Sequence, residues 1–94
     1  MDYATSKAAI DTLTIGLARE VAEEGIRVNA VRPGFIATEL HQSGGEPARM
    51  DRVRPLVPMK RVGQAKEVAD AIMWLLSDKA SYTTGTILDV SGGR

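Results

Sequence analysis

Ninety-four residues suffice for one compact domain and leave no room for a second, and a chain of this length buries only about two-thirds of its unfolded surface. Twelve Lys plus Arg balance twelve Asp plus Glu, so no net field attracts nucleic acid or an anionic membrane, and neither is expected as a partner. The lack of cysteine excludes disulfides, zinc-thiolate centres and thiol nucleophiles, and no apolar run approaches the roughly 20 residues of a membrane span or opens the chain as a signal peptide, so a cytoplasmic protein is expected.

The first predicted element is a helix over residues 3–24. Leu13, Leu17 and Val21, with Ile10 and Ala18 beside them, follow the i, i+4 spacing of an amphipathic stripe, and Gly25 offers a left-handed stop. "IRVNAV" (26–31) is short, rich in β-branched residues and apolar on both alternations except at Arg27 and Asn29, which predicts a strand covered on both faces and ended by Pro33-Gly34. Asn29 is expected to pair with buried backbone. Residues 35–60 read as an irregular, mobile segment, because "SGGEP" (43–47), Pro55 and Pro58 allow only short helices. A second helix is predicted over 66–76 from Val68, Ile72, Leu75 and Leu76, and after turn-like residues 78–85 "TILDV" (86–90) predicts a final strand. A helix between two strands in this order implies a parallel pair with a right-handed crossover.

Chemistry enters at "YATSK" (3–7). A helix brings positions i and i+4 together, so Lys7 lies beside Tyr3, and an ammonium there favours the phenolate of a group that otherwise titrates near about 10. The helix amino terminus acts in the same sense. Taken alone the motif also describes a solvated first turn with no chemistry. His41 with Glu39 and Glu46 is a weak metal candidate, since one histidine with loop carboxylates does not make a ligand set, and no metal site is assigned. No G-x-S-x-G elbow supports serine hydrolase chemistry.

Taken in order, "YATSKAAIDTLTIGLARE", "IRVNAVRPGFIATEL", "VADAIMWLLSDKASYTTG" and "TILDVSGG" resemble the carboxy-terminal part of a short-chain dehydrogenase/reductase, in the manner of bacterial members related to sugar dehydrogenases and 3-oxoacyl-carrier-protein reductases. The resemblance runs over essentially the whole chain. It implies an α/β fold: a carboxy-terminal fragment of a Rossmann-like, doubly wound sheet, a single partial domain with the Tyr-x-x-x-Lys helix at 1–25, strand and Pro-Gly loop at 26–38, substrate lid at 39–60, and crossover helix with last strand at 61–94. It implies hydride transfer between NAD or NADP and a small carbonyl or alcohol substrate. Tyr3 would be the acid or base, assisted by Lys7, which would also bind the nicotinamide ribose. Pro33 and Gly34 would turn the chain beside the nicotinamide, Ile36 would meet its carboxamide through backbone, and Thr38 would offer it a hydroxyl, although Pro-Gly also simply ends a strand and Thr38 also caps a helix starting at 39.

The chain departs from the family pattern in having neither a glycine-rich dinucleotide motif nor, ahead of Tyr3, the family's catalytic serine. It is therefore expected to be truncated. An exposed sheet edge and an exposed helix stripe then predict a homo-oligomer, domain-swapped or rearranged. Met73 and Trp74 are expected at an interface. The alternative to an oxidoreductase is a catalytically silent module that self-associates and binds no dinucleotide.

Overall fold

The computed structural model describes residues 3–37 and 47–94. In chain order these form α1 (Tyr3–Val21), β1 (Ala30–Pro33), β2 (Ile36–Ala37), α2 (Pro47–Val53), β3 (Gly63–Gln64), α3 (Ala65–Leu76) and β4 (Ile87–Val90), with 3-10 turns at Ala22–Glu24, Arg54–Leu56 and Asp78–Ala80. β1 pairs with β4, and β2 with β3. As the donor advances from the Ala30 N–H to the Gly34 N–H, the acceptor advances from the Thr86 carbonyl to that of Val90, so β1 and β4 run parallel. β2 and β3 are also parallel, with Ile36 opposite Gly63 and Ala37 opposite Gln64. The α/β class with parallel strands is thus as the sequence implies. The chain divides into two compact units, Met1–Ala30 with Trp74–Leu88 and Val31–Met73 with Asp89–Arg94.

In the first unit α1 ends where Gly25 adopts φ 77, its N–H donating to the Ala22 carbonyl at 3.1 Å. The buried face of α1 is made by Thr14 and Ala18, not by the leucine stripe. Thr14 directs its hydroxyl back to the Ile10 carbonyl (2.8 Å), which removes its polar group from competition, and Ala18 is small enough for the backbone at Gly85 to pass close by. Ile10, Leu13 and Leu17 are exposed, in agreement with the expectation that the stripe is uncovered. Met73 in the second unit and Trp74 in the first are exposed as well.

The strand expected at 26–31 begins later, at Ala30, and takes in Pro33. The reason is that residues 27–29 are held by side chains as much as by a ladder. The Val28 N–H donates to the Thr84 hydroxyl, while the Asn29 amide donates to the Thr83 carbonyl and accepts from the Thr86 N–H, both at 3.0 Å. Asn29 therefore pairs with backbone as expected. Arg27 reaches the end of α3, its guanidinium donating to the carbonyls of Leu75 (2.6 Å), Ala80 (3.0 Å) and Ser77 (3.3 Å). Those carbonyls belong to a helix end and its following turn, where intrahelical donors run out and negative potential gathers.

The second unit is built around Val57, which is almost wholly buried beneath Gly92. A Cβ added at Gly92 would lie 2.7 Å from Val57 Cγ1, and one at Gly93 would lie 3.0 Å from Pro58 Cβ. Both glycines have positive φ, 67 and 102, so the chain after β4 turns tightly against residues 57–59. The Met59 N–H completes this joint by donating to the Gly92 carbonyl at 3.1 Å. α3 enters this unit through a half capping box, with the Gln64 N–H donating to Glu67 Oε1 at 3.0 Å.

Candidate active-site elements

Tyr3 opens α1 and Lys7 stands on the next turn, so a regular helix carries the two positions on one face. Lys7 is half-buried and engaged by neighbours, and so is not a freely solvated cation. Helicity from the first of the two residues to well beyond the second is what the spacing requires.

The remaining expected site residues lie on the chain leaving β1. Pro33 is the last residue of β1, and the Gly34 N–H donates to the Val90 carbonyl at 3.0 Å. A Cβ at Gly34 would lie 2.9 Å from both Cα and Cβ of Ser91, so close backbone packing demands a glycine here. Ile36 lies in β2 with its Cδ1 in the space a side chain at Gly63 would fill. Thr38 lies outside the described residues, as do Glu39, His41 and Glu46. Among the described residues no group of His, Cys, Asp and Glu could hold a metal, and no helix is long and apolar enough to cross a membrane.

Ile36 also lines a groove of about 520 Å³ in the second unit, with Phe35, Met59 and Val90 as apolar wall and Arg61, Glu67, Asp89 and Arg94 among its charged lining. Arg61 grips Glu67 through both terminal nitrogens, at 2.8 and 2.9 Å. That fork, together with the Gln64 N–H, holds the Glu67 carboxyl at about 2, and the carboxylate in turn raises Arg61. Asp89 meets Arg32 at 3.2 Å. The Arg94 guanidinium lies over the Phe35 ring, 4.9 Å from its centre.

Sequence reasoning missed this groove and its arginines. One signal was available: Gln64 and Glu67 have the spacing of a helix cap and its third residue, and a Glu so placed reaches back to the cap N–H. Arg61 and Arg94 carried no local signal, because each depends on contacts formed only on folding.

The model of the enoyl-(acyl carrier protein) reductase family matches residues 1–94, the whole chain. An uncharacterized oxidoreductase of Escherichia coli is 68% identical over 94 residues, covering 100% of this chain and 38% of that protein. The crystal structure of a 3-oxoacyl-[acyl-carrier protein] reductase from Brucella melitensis superposes with a TM-score of 0.87 at 45% identity, covering 97% of this chain and 34% of that one. A 3-oxoacyl-[acyl-carrier protein] reductase of the same organism with bound NAD gives 0.84 at 44% identity, over 97% of this chain and 32% of that one. The chain therefore spans little more than a third of the length of the relatives it matches. None of these matches supports a silent module. The tyrosine and lysine positions on one turn-spaced face of α1, the parallel strands that follow and the match along the full chain agree: the protein belongs to the short-chain dehydrogenase/reductase family.

Proposed function

We propose that the chain carries the acid-base end of a NAD(P)-dependent oxidoreductase acting on a carbonyl or alcohol. The observation that carries this reading is the helical i, i+4 placement of Tyr3 and Lys7 at the start of α1. The Tyr3 phenol would give a proton to the carbonyl oxygen in reduction and take it back in oxidation. Lys7 would favour the phenolate electrostatically and hold the ribose next to the nicotinamide, which supplies or accepts the hydride when bound. Acid-base help of this kind is worth roughly a hundred- to ten-thousand-fold in rate.

The residues present fit one end of the coenzyme only. A phenol and an ammonium one turn apart suit the nicotinamide side, and the reading adds Pro33, Gly34, Ile36 and Thr38 beside it. No described glycine suits the pyrophosphate: the space in front of Gly34 is taken by Ser91, that of Gly63 by Ile36, that of Gly92 by Val57 and that of Gly93 by Pro58, while Gly85 lies against Ala18 ahead of β4. Gly16 and Gly25 have open space but stand in the middle of α1 and just past its carboxyl end, where no ring of free N–H groups faces a phosphate.

The test is reduction of small ketones with NADH and NADPH, beside calorimetric titration of each coenzyme. Tyr3→Phe is expected to lower turnover at least a hundredfold while coenzyme still binds, and Lys7→Ala to weaken both. Turnover unchanged in Tyr3→Phe overturns the reading. The same reading includes self-association through the exposed Ile10, Leu13 and Leu17 of α1. A monomer by light scattering at micromolar concentration removes that part.

A further inference from the structure

The chain has no net charge, yet its cations are unevenly placed. Residues 49–61 hold Arg49, Arg52, Arg54, Lys60 and Arg61 against Asp51 alone, and the whole segment belongs to the second unit. Asp51 answers Arg54 at 2.9 Å and Glu67 answers Arg61 at 2.8 Å. No carboxylate of a described residue pairs with Arg49, Arg52 or Lys60, so three exposed cations remain on α2 and the turns that follow it. The overall balance that argues against an anionic surface therefore does not hold locally. At physiological salt a charge is felt over about 8 Å, so distant carboxylates do not cancel this patch.

Among these cations a fixed turn points apolar side chains outward. Val57 is buried beneath Gly92, the Met59 N–H donates to the Gly92 carbonyl, and Pro55 and Pro58 restrict the backbone on either side. Leu56 before this anchor and Met59 after it are left 56% and 59% exposed. Lys60 closes the turn. Its φ is 60, the one positive value among the described residues that does not belong to a glycine, and its Nζ donates to the Pro55 carbonyl at 3.0 Å. A glycine would take that φ without the steric cost of a Cβ, so the lysine keeps an ammonium beside the turn against a local backbone preference.

We propose that residues 49–60 dock the protein peripherally on an anionic lipid surface, with Arg49, Arg52 and Lys60 against headgroup phosphates and Leu56 and Met59 in the acyl boundary. Cations flanking outward apolar side chains match an interface that is negative at the headgroups and apolar just beneath them. A folded acidic partner would need a hollow shaped to cover Leu56. A bilayer takes up a protruding side chain without matched shape.

The experiment is co-sedimentation of the full chain with vesicles of phosphatidylcholine, plain or containing phosphatidylglycerol, at increasing salt. Binding is expected to the anionic vesicles only, and it should weaken as salt rises. Arg49→Ala and Arg52→Ala should each weaken it about fivefold. Lys60→Gly should do the same while the melting temperature holds or rises, because glycine relieves the left-handed backbone, and the loss then reports the ammonium and not unfolding. Leu56→Ser should weaken binding and leave its salt dependence unchanged. No sedimentation with anionic vesicles, equal sedimentation with neutral ones, or binding unchanged in Lys60→Gly and Arg52→Ala overturns the proposal. Saturable binding of poly-glutamate without sedimentation on vesicles overturns it in favour of an acidic polypeptide.

Discussion

The two units are held by different kinds of contact. In the first, Arg27 and Asn29 reach residues 48 to 57 positions away and satisfy backbone groups that the helix end and the strand entry leave open. In the second, glycines let one stretch of backbone lie directly on another, at Gly34 against Ser91 and at Gly92 over Val57, while the charges pair at the surface. Loss and gain of atoms should therefore act oppositely. The first unit is vulnerable to removal of a donor, and the second to addition of a methyl group.

Arg27→Ala breaks the first kind of contact and carries the largest expected effect. It removes three charge-assisted bonds to the carbonyls of Leu75, Ser77 and Ala80, of which the last two keep the N–H groups of Ala80 and Thr83, and about 3 kcal/mol of stability should be lost in urea unfolding. Arg27→Lys should recover only part, since one ammonium does not span the same acceptors. Gly92→Ala tests the second kind. With φ 67 and a new Cβ 2.7 Å from Val57, it should cost about 2 kcal/mol in the same assay. A null result there would show that the turn after β4 is loosely held.

Gly16→Ala sharpens the contrast by adding the same methyl where nothing lies within 4 Å, inside α1. Here the substitution should stabilise by about 0.5–1 kcal/mol and raise the melting temperature. The smallest effect concerns Glu67. Its carboxyl is lowered from 4.5 to about 2, so its contribution to stability is complete above pH 4.5, fades as pH falls and is gone below about 2. Acid titration of Glu67→Gln should flatten the stability profile in that window, with a small loss at neutral pH and little change below about 2.

What could be read from the residues was what depends on local pattern. α3 begins at Ala65 where periodicity places it at 66, and β4 begins at Ile87 where the β-branched run starts at 86. The first strand was displaced because the side chains of Thr84 and Asn29 stand in for ladder partners, a choice that β-propensity does not encode. α1 was found, but its buried face was not: the leucines have the stronger apolar signal, yet Thr14 and Ala18 are what the neighbouring backbone can approach. Tyr3, Lys7 and the loop from Pro33 to Ile36 stood out through motif and turn chemistry. Arg61 and Arg94 did not, since nothing in their immediate sequence announces a carboxylate six residues away or a ring fifty-nine residues back.

Arg27 also bears on the order in which this protein comes into being. Its acceptors lie as far along as Ala80, so during synthesis the guanidinium has left the ribosome well before anything exists for it to hold. The contact can close only after the 53 positions that separate Arg27 from Ala80 have been translated, and that interval is a natural point for a chaperone to intervene.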